Sequence, residues 1–377
     1  MKRQILYVTG TRADFGLMAR TLREIDADSA LELSILITGM HLSPIYGSTV
    51  KEIVAEGLRI AAEVPVDLNT STGAGMARNL GEMVIRFTDV MERERPDVVL
   101  LLGDRGEMLA GAISALHLNI PCAHVHGGER SGTVDEPVRH AISKLSHIHF
   151  TTSDDAATRL ARMGEDPSRI FVSGAPGLDG LTELASKDRA ALAGEYGLDP
   201  ARPTALMVFH PVLQEQVTAF DDTVSIVEAL QARGLQAVII APNSDAGADE
   251  VRYALKRYDS HEGFLILPHL PRGDFVSWMA VCDVMIGNSS SGIIEAATFG
   301  TPVINVGTRQ NLRLRNDNVK DVALSRGALE VALGEALSAG KLSRRNVYGK
   351  GTAFETITRT LKSIDLGPAT LSKVNSF

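Results

Sequence analysis

Short, continuous apolar runs separated by long amphipathic stretches dominate this sequence, and they leave few folds open. Gln4 to Thr9, Leu31 to Thr38, Asp97 to Leu102, Pro121 to Val125 and Ile148 to Thr151 are such runs, with a weaker one at Ile170 to Val172. A strand buried on both faces reads this way, and burying both faces requires helices above and below a parallel sheet. The intervening stretches, Phe15 to Ile25 and Met76 to Arg95 among them, carry helical spacing. After a polar patch between Asp179 and Pro203 the rhythm restarts: Thr204 to Phe209, Leu235 to Ala241, Phe264 to Leu267, Asp283 to Ile286 and Pro302 to Asn305. The expected class is α/β, with two doubly wound domains at residues 1–185 and 186–352. A chain of 377 residues is long enough for each to bury its own core.

Charge and composition narrow the function. A net charge of -8 argues against a broad nucleic-acid surface, because gripping a phosphate backbone needs a basic face. Cys122 and Cys282 are the only cysteines and stand in neither a metal nor a redox spacing. No apolar stretch approaches the roughly 20 residues that span a bilayer. The basic start at Lys2-Arg3 leads into a run that stops at Thr9-Gly10, too short for a signal-peptide core. The expected location is the cytoplasm, with no membrane partner.

Ligands of open parallel sheets bind beyond the carboxyl ends of the strands, and the polar motifs here occupy those positions. They are Gly10-Thr11-Arg12-Ala13-Asp14, Gly103-Asp104-Arg105, His126-Gly127-Gly128-Glu129, His210-Pro211, Pro242-Asn243-Ser244-Asp245 and Gly287-Asn288-Ser289-Ser290-Ser291-Gly292. The last opens a stretch of helical character, where free backbone N–H groups and serine hydroxyls suit a diphosphate. A simple helix cap at Ser290 or Ser291 explains the same residues equally well. Glu295 is placed to reach ribose hydroxyls and Arg12 to reach phosphates. Neither a P-loop nor a dinucleotide fingerprint occurs.

Asp104, Glu129, Asp135 and Glu136 follow apolar strands of the first half, flanked by glycines. Converging carboxylates raise one another's pKa, which makes a carboxyl group useful as an acid or base near neutrality. His124, His126, His140, His147 and His149 raise the question of a metal, but none stands in a recognised ligand spacing, so no metal is expected.

Taken together and in order, these motifs resemble one family. Gly10 to Gly16, Thr38-Gly39-Met40-His41, Gly103-Asp104-Arg105, His124 to Glu129, Asp135-Glu136 with Arg139-His140, Ser173 to Asp179, Phe209-His210-Pro211, Asn243-Ser244-Asp245 and Gly287 to Glu295 look like the hydrolysing UDP-N-acetylglucosamine 2-epimerases of sialic and legionaminic acid synthesis. The match runs from about residue 4 to 315. One departure is Leu312, where the family usually has a glycine before the arginine that is Arg313 here.

The resemblance implies two Rossmann-like domains facing across a cleft, as in the B-type glycosyltransferases, with UDP held mainly by the second. It implies that a C-terminal helix within Ala353 to Ile364, in the segment 353–377, packs back on the first domain. The implied reaction converts UDP-N-acetylglucosamine and water to N-acetylmannosamine and UDP through 2-acetamidoglucal. The same reaction on UDP-2,4-diacetamido-2,4,6-trideoxyglucose, or a non-hydrolysing epimerisation, is the alternative. By resemblance Asp104, Glu129 and Asp135 form the acid-base set, Glu136 and Arg139 orient substrate, and His210 meets the diphosphate or the leaving oxygen. Arg12, Asp14, Arg139, Asn243, Ser289, Ser290, Ser291, Gly292 and Glu295 complete the UDP-sugar contacts. No cofactor is implied, and the expected assembly is a homodimer or homotetramer. The apolar stripe Leu80, Val84, Phe87 and Met91 is a candidate contact for it.

Overall fold

The structure, a computed structural model, describes residues 2–68, 72–131, 135–212, 215–243 and 245–376. It divides into two compact units: Met1–Arg130 with Val134–Asp179 and Tyr348–Phe377, and Ser131–Thr133 with Gly180–Val347. Among the described residues no helix is long and apolar enough to cross a membrane.

The first unit is a parallel sheet of β1 (Arg3–Thr9), β2 (Leu31–Thr38), β3 (Ile60–Val64), β4 (Val98–Leu102), β5 (Cys122–Val125), β6 (Ile148–Thr151) and β7 (Ile170–Val172), in the order β3-β2-β1-β4-β5-β6-β7. The second is built from β8 (Thr204–Val208), β9 (Gln236–Ile240), β10 (Phe264–Leu267), β11 (Val284–Gly287), β12 (Val303–Val306) and β13 (Val319–Val322), in the order β10-β9-β8-β11-β12-β13. Both are Rossmann-like: the strand order turns back on itself beside the first strand, between β1 and β4 and between β8 and β11. The central strands are buried on both faces, as their continuous apolar runs require. Sequence reading misses β3 and β13, and both are edge strands. Ile-Ala-Ala-Glu-Val buries only Val64 and Val-Lys-Asp-Val buries nothing fully, so neither carries a continuous apolar run.

Helices expected at Phe15 to Ile25 and Met76 to Arg95 run Arg12–Ala27 and Gly73–Glu94. The stripe proposed as a subunit contact serves the first unit's own core. Phe87 and Met91 are buried, Leu80 and Val84 pack at the margin, and Ile85 faces outward. The C-terminal helix Ala353–Ser363 lies on the first unit, with Ala353, Ile357 and Leu361 in the same core as β1 and β2. Asp179 caps it, accepting from Ala353 N at 2.8 Å and Phe354 N at 2.7 Å. Burial nevertheless pushes the Asp179 carboxyl up to about 6.

Candidate active site

In the first unit the loops after β1, β2 and β4 meet at the turn-back of the sheet. Met40 N donates to Gly10 O at 2.8 Å. A Cβ on Gly10 would lie 2.6 Å from Glu107 Cγ, so only glycine lets these loops close. Asp14 is turned inward. Its carboxylate accepts from Thr9, from Gly10 N at 3.1 Å, and from Thr11 N and Oγ1 at 2.8 and 2.9 Å, completing a capping box with Thr11. Burial pushes Asp14 up to about 6 against those hydrogen bonds, with nearby Glu107 adding to the rise. Asp14, expected as a substrate contact, holds the loop that carries Arg12, which pairs with Glu52 at 3.0 Å. His41 bridges Thr9 and Thr49, and burial lowers its pKa to about 4, so it serves this scaffold as a neutral ring.

Three of the expected acid-base and orienting residues come together beyond β4 and β5. Arg139, 1% exposed, pairs with the Asp104 carboxylate and donates to Glu129 O at 3.3 Å. Its helix, Asp135–Leu145, places Asp135 and Arg139 one turn apart on one face, with Asp135 and Glu136 in the first turn. The C-terminal end of that helix is held by Lys373, whose Nζ donates to Ser143 O, Lys144 O and Ser146 O at 3.0, 2.9 and 2.6 Å. His124 fastens the loop of Asp104 from below: its Nε2 lies 2.7 Å from Gly103 O and its Nδ1 3.0 Å from Ser143 Oγ. Burial drives its pKa down to about 3, so it is a neutral structural donor.

Glu129 itself is 5% exposed, and its Oε1 accepts from Thr152 Oγ1 at 2.8 Å and faces His126 Nδ1 at 3.1 Å. The two glycines before it are there for packing. A Cβ on Gly127 would lie 2.9 Å from Ser143 Oγ, and one on Gly128 would lie 2.3 Å from Ala156 O. His126 adopts φ 67°, a left-handed conformation that costs an L residue about 1–2 kcal/mol. Backbone strain of this kind concentrates at functional sites.

The second unit gathers the loops after β8 and β11. Asn288 stitches them, its Oδ1 accepting from His210 N at 2.8 Å and its Nδ2 donating to His210 O at 2.7 Å. His210 Nδ1 accepts the Asn243 N–H at 3.3 Å, which leaves the proton of the neutral ring on Nε2. The serine loop opens the expected helical stretch, which is short: Ser290–Ile294 is α-helical and is followed by 3₁₀ backbone at Ala296–Phe299. Ser289, not Ser290 or Ser291, is its cap, and the Ser289 and Ser291 hydroxyls share a 2.8 Å hydrogen bond. The half-buried Ser290 hydroxyl makes no hydrogen bond among the described residues. Gly292 is a packing residue, since a Cβ there would lie 3.0 Å from Val303 Cγ1. Asn316 and Asn346 satisfy the carbonyls at the end of the short helix, donating to Ile293 O at 2.9 Å and Ile294 O at 2.7 Å.

Two expected ligand contacts are engaged internally. Glu295, buried, pairs with Arg272. The Asn243 amide donates to Asp245 at 2.6 Å, while Ser244 of the same motif lies outside the described residues. The candidate set omits His126, Thr152, Arg272, Asn288, Arg309 and Gln310. Arg309 Nη1 and Gln310 Nε2 donate to Asn288 O at 3.2 and 3.0 Å, bringing a cation to the serine loop. Thr152 and Arg272 each meet their carboxylate across 23 residues of sequence, which local patterning does not reveal. His126 stands inside a quoted motif, so its signal was present in the sequence.

The family model for UDP-N-acetylglucosamine 2-epimerase matches residues 23–362. The chain is 48% identical to a UDP-N,N'-diacetylbacillosamine 2-epimerase (hydrolyzing) of Legionella pneumophila, over 100% of both chains. It is 35% identical to a UDP-N-acetylglucosamine 2-epimerase of Neisseria meningitidis, over 97% of this chain and 95% of that one. The crystal structure of a UDP-GlcNAc 2-epimerase from Neisseria meningitidis bound to UDP-GlcNAc shares the fold, with a TM-score of 0.80 at 18% identity over 95% of this chain and 99% of that one. With a family match across most of its length and a hydrolysing relative alike from end to end, the chain belongs to the hydrolysing UDP-N-acetylglucosamine 2-epimerase family.

Proposed function

We propose that this protein is a hydrolysing 2-epimerase of UDP-2,4-diacetamido-2,4,6-trideoxyglucose, releasing UDP and the 2-epimerised diacetamido sugar. The observation that carries the reaction is the buried Arg139, which pairs Asp104 and engages the backbone of Glu129 at the ends of adjacent strands. A base takes the proton from C2 while the C1–O bond to UDP breaks, giving a glycal. Water then adds at C1 as a proton returns to C2 from the opposite side. Asp104 and Asp135 serve the elimination and Glu129 the hydration, with Glu136 and Arg139 orienting the sugar. The second unit supplies the nucleotide hold, through the Nε2–H of His210 and the serine loop.

The diacetamido sugar moves ahead of UDP-N-acetylglucosamine because the chain is more similar to the Legionella enzyme than to the Neisseria enzyme, 48% against 35%. The two sugars differ at C4 and C6. With both nucleotides assayed by proton NMR in heavy water, kcat/KM should favour the diacetamido substrate by about tenfold or more, equivalent to roughly 1.4 kcal/mol. Equal turnover would remove the substrate assignment. An epimerised nucleotide in place of free sugar and UDP would indicate the non-hydrolysing reaction.

UDP should bind in the presence of a chelator, since serine hydroxyls and backbone amides supply the donors. Ser290→Ala with Ser291→Ala should weaken binding by about 2 to 5 kcal/mol, the loss of two hydrogen bonds to a charged group. Calorimetry showing a requirement for magnesium, or indifference to both serines, contradicts this hold.

A further inference from the structure

His126 stands beside Glu129 and has no task in the reaction as described. It follows β5 directly in a left-handed backbone conformation, is 7% exposed, and sets Nδ1 3.1 Å from Glu129 Oε1. That oxygen also receives the Thr152 hydroxyl at 2.8 Å, so Glu129 is the acceptor and Nδ1 carries the proton of the neutral ring. The Nε2 lone pair then stands buried with no hydrogen-bond partner among the described residues. Buried polar atoms are rarely left unsatisfied, and one that is calls for a ligand or a water. A carboxylate on Nδ1–H with a bare Nε2 opposite is the arrangement that fixes a histidine's tautomer and makes it a general base. The neighbouring His124 lacks this property, because both of its ring nitrogens are already engaged.

We propose that His126, oriented by Glu129, is the base that accepts a proton from the water adding to the glycal. This rests on the hydrolysing function proposed above. As the water oxygen bonds to C1, its proton passes to Nε2. The C1=C2 electron pair takes up a proton at C2 from a carboxylic acid on the face opposite the elimination base, protonated from solvent, while that base returns the proton it removed to solvent. The imidazolium afterwards returns its proton to solvent, so the step adds one water in total. Glu129 acts in this step through the ring, as a positioning residue.

Two substitutions separate this role from a structural one. Glycine adopts a positive φ without strain, so His126→Gly leaves the backbone free to keep its course. Asparagine tolerates the same conformation and retains an amide donor for Glu129 while removing the nitrogen at Nε2. Hydration of the glycal corresponding to the nucleotide the parent consumes should fall about a hundredfold or more in both, with UDP affinity unchanged. Added imidazole should restore part of the hydration rate to His126→Gly and none to His126→Asn, whose side chain fills the space. Parent-like hydration by either variant, or a slowed His126→Gly that imidazole does not rescue, overturns the assignment. A parent protein that releases UDP from neither nucleotide overturns the functional reading, and this one with it.

Discussion

Asp104→Asn should abolish expulsion of UDP, slowing it by about a hundredfold or more, the usual worth of a positioned acid or base. Glu129→Gln should differ in kind: slow release of UDP persists, while hydration of supplied glycal is poor. The two steps need different proton transfers, so amides placed one at a time should fail at different points. The geometry adds a complication specific to Asp104. Its carboxylate pairs with Arg139, which is 1% exposed, so an amide there leaves a guanidinium in the interior with a neutral partner. Losing one member of a buried pair costs about 3–5 kcal/mol at worst, and an amide oxygen that still accepts a hydrogen bond reduces this. Rates must therefore be read with the unfolding transition in hand, and UDP affinity gives a second check. If folded Asp104→Asn releases UDP at the parental rate, its place in the elimination fails; if Glu129→Gln hydrates the glycal normally, only the division between the steps fails.

Gly287→Ala should be among the most damaging single-methyl changes in the protein. The residue ends β11 at φ 135°, and a Cβ there would lie 2.0 Å from Val208 O on the neighbouring β8. The backbone angle is one that glycine alone occupies readily, and the collision is with backbone that has no rotamer to yield. Strain and overpacking together should cost on the order of 3 to 5 kcal/mol. The transition of the second unit should fall by roughly 10 °C, with UDP affinity lost alongside because Gly287 leads directly into the serine loop. Gly194→Ala is the control. It lies in the helix Arg189–Tyr196 with nothing within 4 Å of the added carbon, and should leave stability unchanged or raise it by about 0.5–1 kcal/mol. A Gly287→Ala protein that melts with the control would show that the β8–β11 approach is not the constraint it looks.

The two Rossmann-like units and their central strands are legible in the linear order of residues, because a strand buried on both faces is predominantly apolar. Ile148–Thr151, buried at every position, is legible to the residue, and so is Phe264–Leu267, an edge strand whose four residues are all apolar. The sequence also placed the polar motifs at the strand ends. Edge strands β3 and β13 escaped because one exposed face dilutes the same signal. Which polar groups hold one another emerges only from the folded chain. Asp14, Glu295 and Asn243, expected as ligand contacts from their motifs, also engage Thr11, Arg272 and Asp245 within the fold. Gly292 stands in a phosphate-type loop but is needed for packing on Val303. His124 and His126 are two residues apart on one strand end and indistinguishable by type. One is satisfied at both nitrogens and the other is held in a strained turn with a bare one. Hydrogen-bond partners separated by 20 residues or more of chain are chosen by the sheet order, and no periodicity in the sequence encodes that choice.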